Sequence, residues 1–207
     1  MGNTFNKTYG KRRSTFNFDL TKDFDMDAFK NVIKLFSSNM PSKQHQFPYQ
    51  IDILDWSDKK LRKDIFYGTM PSEKHKGKKI QELHSQLCSY NNQILAPVLI
   101  SFTHCLDPKP YIATLEIGMA VMALTYLLQS NGFLTSFCQC IEDANHLGEI
   151  ITSKAKTTVQ VFLCVGQHAY PKNIRYMPNP FGGPIFAKHV PLHLDTPNIK
   201  YQIDTSK

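Results

Sequence analysis

The sequence is short of the features that mark a membrane or a secreted protein. Its most apolar stretch, Ile117 to Leu128, stops well below the ~18 to 20 residues that a bilayer crossing needs, and Glu116 and Gln129 flank it. No apolar leader opens the chain, and its five cysteines are an odd number. Free thiols in a reducing compartment, by default the cytoplasm, are therefore expected, with no membrane partner. Met1-Gly2-Asn3 is followed by Asn6 where an acylation signal needs Ser or Thr. Most standard chemistry motifs are missing too: there is no Walker-type phosphate loop, no GxGxxG, no GxSxG and no HExxH. Cys138-Gln139-Cys140 has no second pair or histidine spacing to complete a zinc site, so its thiols read as core and no metal is expected. His104 and Cys105, adjacent on a strand, face opposite ways and do not form a nucleophile pair.

What is present is the balance of a globular protein: 207 residues, 42% hydrophobic and 20% charged, read as a single domain over 1–207. The net charge of +7 and the isoelectric point near 9.1 favour an anionic ligand or partner. Lysines concentrate between Lys59 and Lys79, with Arg62 among them. Phe66 and Tyr67 are not interleaved with those charges as stacking platforms, so 58–79 reads as a solvated, charged excursion rather than a nucleic-acid surface.

The stretch from Tyr111 to Gln139 organises the rest. Between Ile117 and Leu128 only Gly118 and Thr125 interrupt the apolar residues, and a helix apolar all round is a buried one. Asn131-Gly132 stops it, and FLTSFCQC alternates as a strand does. Ahead of it lie an alternating TFNFDL, an amphipathic helix with Phe29, Val32, Ile33 and Phe36 capped by Asp23 or Asp25, the strand YQIDIL, a second amphipathic helix over 80–90, and the buried strand APVLISF. Behind it come a short helix over 142–151 and the strand TTVQVFLCVG. Past Gly166 the prolines and glycines of YPKNIRYMPNPFGGP forbid regular structure, which predicts an extended arm over 176–207. The strands form one sheet, and a helix apolar on both sides cannot be covered by a single sheet, so a homodimer across that helix is expected.

Basic and small polar residues gather where the chain turns. Arg12, Arg13 and Ser14 offer two guanidinium forks and a hydroxyl, the equipment for holding a phosphate dianion, and Lys172 with Arg175 offers a second cationic edge. The loop Pro41-Ser42-Lys43-Gln44-His45 adds hydrogen-bonding groups at a helix-to-strand junction.

Taken in order, KRRS, a helix, that PS loop ending in Pro and an aromatic ahead of a strand, LEIGMAVMALTYLLQSNGF, another strand and VFLCVGQHAYP resemble the nitroreductase-like flavoprotein family over roughly 11–175. The resemblance implies an α+β fold, with a central mixed or antiparallel sheet flanked by helices and a long buried helix at a dimer interface. It implies FMN bound between subunits, and two-electron transfer from a nicotinamide donor to a small organic acceptor such as a nitro compound or quinone. By the same resemblance Arg12, Arg13 and Ser14 hold the FMN phosphate and ribityl chain, Ser42, Lys43 and His45 line the flavin, and Gln139 and Cys140 bring backbone amides to its N5. Arg175 and Lys172 meet the phosphate late in the chain. Asn92 stands where the family has a lysine facing the flavin N1 and O2 edge, and Cys140 where a glycine is common. Those departures open a second reading, a flavin-binding or interaction protein of the same fold without turnover. The loop is also similar to that of the branch that oxidises azoline rings in peptides, with Lys109 and Tyr111 as displaced candidates for its Lys-Tyr pair. In such proteins the flavin carries the chemistry, so no general acid or base is expected of the chain.

Overall fold

Asp25 starts the first helix: its carboxylate accepts the Ala28 N–H at 2.9 Å, and α1 (Met26–Ser38) turns Phe29, Val32 and Phe36 into the core. The computed structural model describes residues 14–40, 42, 46–69, 92–105, 110–169, 176–177 and 185–186. Among these, β1 (Gln50–Leu54), β2 (Val98–Cys105), β3 (Leu134–Cys138) and β4 (Thr157–Gly166) form one antiparallel sheet in the order β1-β2-β4-β3.

Alternation along the two central strands builds two cores. Val98, Ile100 and Phe102 of β2 with Val161, Leu163 and Val165 of β4 face α1 and α3 (Pro110–Ser130). Leu99, Val159, Phe162 and Cys164 face the other way, against Ile65 and Phe66 of α2 (Lys59–Gly68) and Leu147 of α4 (Ala144–Thr152). Helices therefore cover both faces of the sheet, a three-layer arrangement. The α4 layer is tight: a Cβ on Gly148 would lie 2.5 Å from the Thr157 carbonyl oxygen.

The long helix ends as expected. Gly132, at φ +86°, donates to the Gln129 carbonyl at 3.2 Å, and Phe133 N–H reaches Leu128 O at 3.1 Å, closing a Schellman motif. Its burial is one-sided. Ile117, Ala120, Val121, Leu124 and Leu128 are covered, whereas Tyr111, Leu115, Met119 and Met122 are 70, 66, 45 and 37% exposed in the isolated chain. These four recur at helical spacing and form one open apolar stripe. By length and composition alone the helix over Tyr111–Ser130 could also cross a bilayer, its mean hydropathy reaching 1.6 over an 18-residue window, a test that the core helix of a soluble protein passes as well. Its covered face nevertheless packs on the sheet, as a core helix does, and carries Glu116 and Thr125.

Three other expectations are corrected. TFNFDL is not a strand of the sheet: Ser14, just ahead of it, forms a single bridge to Thr135, and Phe18 forms another to Ala169. The first half of the charged excursion is α2, in which Arg62, Ile65 and Phe66 face inward at helical spacing while the lysines stay outside. The arm contains a pair of two-residue strands, β5 (Tyr176–Met177) with β6 (Ile185–Phe186). The helix expected over 80–90 lies outside the described residues.

Candidate functional site

β3 is the outer strand of the sheet, and beyond the bridge to Ser14 no strand lies alongside its free edge among the described residues. Ser14 pairs with Thr135 in parallel, and Thr15 donates its N–H to the Thr135 carbonyl at 3.0 Å. Thr135 is itself fixed by Gln129, whose Nε2 donates to its Oγ1 at 2.7 Å. Four residues on, at ~3.3 Å per residue or about 13 Å along the strand, Gln139 and Cys140 leave the sheet exposed. Their backbone is held by Ile141 N–H on Gln139 O at 2.9 Å and Glu142 N–H on Gly68 O at 3.0 Å. Cys138 faces the core, and burial pushes its thiol up to about 12. Cys140 stands past the strand end with its side chain in the open, so a core reading fits one of the two thiols only.

A 3-10 turn over Asn92–Leu95 packs against β3 and β4. What anchors it is Arg62, 1% exposed, which donates from Nη2 to Ile94 O at 2.8 Å and Ala96 O at 2.6 Å, and from Nη1 to Leu54 O at 2.9 Å. Trp56 lies under the guanidinium, 4.4 Å from ring centroid to Cζ, and its Nε1 donates to the same Ala96 carbonyl at 3.2 Å.

Ser42 belongs to a second group at the other end of α3. Its hydroxyl donates to Oε2 of Glu116 at 2.9 Å and accepts the Phe47 N–H at 2.9 Å, where Phe47 adopts a left-handed φ of 41°. Glu116 is 1% exposed, and the nearby Tyr49 phenol is pushed up to about 12, first by burial and then by the Glu116 charge. An open cleft of about 600 Å³ adjoins this group, lined by Phe47, Tyr49, Gln50, His104, Ile112 and Lys154 among others. His104 is buried with Nδ1 2.7 Å from the Cys105 carbonyl, while Cys105 is exposed, so the two side chains do face apart.

The expected site residues thus fall into two sets. Ser14, Gln139 and Cys140 lie along β3, and the turn that begins at Asn92 packs against β3 and β4. Ser42 does not join them: it is tied to Glu116, whereas the β3 edge is tied to Gln129, and at a rise of ~1.5 Å per residue these two lie about 20 Å apart along the helix axis. Arg12, Arg13, Lys43, His45, Lys172 and Arg175, and the side chain of Asn92, lie outside the described residues, as do Lys109 and the end of the charged excursion. Sequence reasoning passed over Glu116, Thr135 and Arg62. Glu116 was visible as an acid on the edge of an apolar helix, and Arg62 as the member of the lysine run in phase with Ile65 and Phe66.

No family model and no characterised protein sequence matches the chain. Solved structures do. A nitroreductase with bound FMN from Desulfitobacterium hafniense DCB-2 superposes with a TM-score of 0.63 at 15% identity, over 91% of this chain and 100% of that one. Oxidised iodotyrosine deiodinase bound to FMN and 3-iodo-L-tyrosine gives 0.62 at 17% identity, over 89% and 98%. The FMN-dependent nitroreductase from Mycobacterium smegmatis in complex with NADPH gives 0.61 at 10%, over 81% and 88%. At such identities the likeness is one of architecture, and it extends over nearly the whole length of each partner in the comparison. The chain shares the nitroreductase-like fold with these structures.

Proposed function

We propose that the chain is an FMN-dependent oxidoreductase that works as a homodimer and passes two electrons between a nicotinamide donor and a small organic acceptor. The observation that carries this reading is the separation of the two residue sets along α3. A cofactor touching both Ser14 and Ser42 would do so across two chains, and the open stripe of Tyr111, Leu115, Met119 and Met122 runs along the same helix, past its Glu116 end, as the surface on which a second copy would pack. The β3 edge of one protomer would then face the Ser42 loop of its partner. Architecture adds support, since proteins of this fold have been crystallised with FMN and with NADPH.

The residues present suit such a cofactor. A free strand edge offers backbone groups for the polar rim of an isoalloxazine, and the Ser14 hydroxyl, with Arg12 and Arg13 next to it in sequence, suits a phosphate. Bound FMN would supply the hydride chemistry. The chain's own work is to hold it. Ser14, Arg12, Arg13, Lys172 and Arg175 would bind the phosphate and ribityl chain, while Gln139 and Cys140 would meet the ring through their backbone. Ser42, Lys43 and His45 would close the site from the partner, with the loop braced by Glu116. Asn92 would face the pyrimidine edge.

Titration of the purified protein with FMN tests the reading. The expected result is a yellow complex whose flavin absorption bleaches with NADH or NADPH and returns when a quinone or nitroarene is added. A preparation that takes up no FMN overturns it. Uptake and bleaching by dithionite, without oxidation of either nicotinamide, would leave a flavin-binding protein of this fold that has no turnover.

A further inference from the structure

The cleft of about 600 Å³ beside the Ser42 loop is of a size that takes a small organic molecule. No described residue that lines it is among those proposed to hold FMN, so what it binds does not rest on the flavin reading. Two kinds of group line it. One is aromatic. Phe47 is 39% exposed at a left-handed φ of 41°, a backbone conformation that persists in a bulky residue only where its surroundings enforce it. The Ser42 hydroxyl does so by accepting the Phe47 N–H, and Ser42 is tied in turn to buried Glu116. The result is a phenyl ring held partly in water on the cleft, with Pro48, Tyr49 and Ile112 lining the same space. The other group is cationic. Lys154, just past α4, donates from Nζ to Gln50 Oε1 at 2.8 Å, which draws this lysine onto the cleft. Gln50 is itself oriented by Asp52, whose Oδ1 accepts its Nε2 at 2.7 Å. Among the described residues no carboxylate lines the cleft and Lys154 is its one fixed cation, with one of three ammonium N–H groups given to a neutral amide. From Phe47 to Gln50 the chain advances three residues, about 10 Å at full extension, so ring and ammonium are within reach of one small ligand.

We infer that this cleft is a binding site for an arylcarboxylate, whose ring packs on Phe47 and whose carboxylate takes the ammonium of Lys154. Aromatic faces favour ring partners, and an ammonium-to-carboxylate hydrogen bond is about twice as strong as a neutral one. A neutral aromatic would use only the first group and an aliphatic anion only the second. The net charge of +7 draws anions to the molecule as a whole. Cys105 supplies a reporter, because its thiol is exposed and the residue lines this cleft, opposite Thr157 in the strand ladder, whereas the exposed Cys140 stands past the end of β3.

Calorimetric titration of the full chain with 2-naphthoate, and with its neutral counterpart 2-naphthamide, tests the assignment. The acid is expected to bind saturably, with the same affinity in the presence and absence of FMN, and the amide about tenfold more weakly. Lys154→Gln is expected to weaken the acid about tenfold and leave the amide unchanged, and Phe47→Leu to weaken both. At about ten times its dissociation constant the acid should slow iodoacetamide labelling of Cys105 about tenfold, by mass action, and leave that of Cys140 unchanged. No saturable binding, an affinity for the acid untouched by Lys154→Gln, competition with FMN, or protection of Cys140 in place of Cys105 overturns the inference. The labelling needs no variant, so it decides the matter even if Lys154→Gln fails to fold.

Discussion

The Ser42–Glu116 contact shows how one hydroxyl can set a loop. Ser42→Ala would leave the Phe47 N–H without its acceptor and take a donor from a buried carboxylate, and a loss of about 1–3 kcal/mol in unfolding free energy is expected from denaturant titration. Tyr49 works in the opposite sense. Its hydroxyl is buried with no hydrogen-bond partner among the described residues, so Tyr49→Phe is expected to raise stability at pH 7 by about 1 kcal/mol. The sign of its pH dependence follows from the raised value. An unfolded phenol ionises near 10 and the folded one near 12, so stability from this group is whole below pH 10 and is lost as pH climbs towards 12. Thermal melts between pH 9 and 12 should show a gentler alkaline decline in Tyr49→Phe than in the wild type. At this scale the sequence disclosed little: a lone acid or arginine reveals its partners only once distant segments meet, as Glu116 meets Ser42 and Arg62 meets Ile94 and Ala96.

Elements were far more legible. Asp25 and the spacing of Phe29, Val32 and Phe36 announced α1, and Asn131-Gly132 announced the end of α3, because caps and periodicity are local properties of the chain. The lysine run hid α2, since charge on the outer face masked the inward phase of Arg62, Ile65 and Phe66. TFNFDL misled for the converse reason. Its alternation is real, with Phe18 fully buried, but it crosses the sheet at points instead of running along it, and Gly166 makes room for the Phe18 ring, which would lie 2.5 Å from any Cβ there. The packing of α4 gives a prediction at this scale. Gly148→Ala would drive a methyl into the Thr157 carbonyl, and a loss of about 1–3 kcal/mol is expected, read as a lowered melting temperature.

For the molecule as a whole, the open stripe on α3 is the feature with the widest reach. Met119→Asp would put a charge in its middle without touching the covered face of the helix. The expected outcome is a monomer by sedimentation velocity that keeps its helical circular dichroism but no longer retains FMN. A dimer unaffected by Met119→Asp would move the interface elsewhere. The nitroreductase-like architecture was readable from the order of helix, PS loop, apolar helix and strands. The division of the candidate residues between two ends of that helix was not, because spacing in sequence carries no information about which copy of a chain a residue serves.

In the proposed homodimer that division has a genetic consequence. A chain damaged at Ser14 and another damaged at Ser42 would each be inert alone, since every cleft in either homodimer carries a lesion. Co-expressed, they would assemble in part into mixed pairs in which one cleft inherits both faults and the other none. Activity restored by combining two dead alleles, up to half of the normal yield per mixed pair, would be the signature of a catalytic unit that belongs to no single polypeptide.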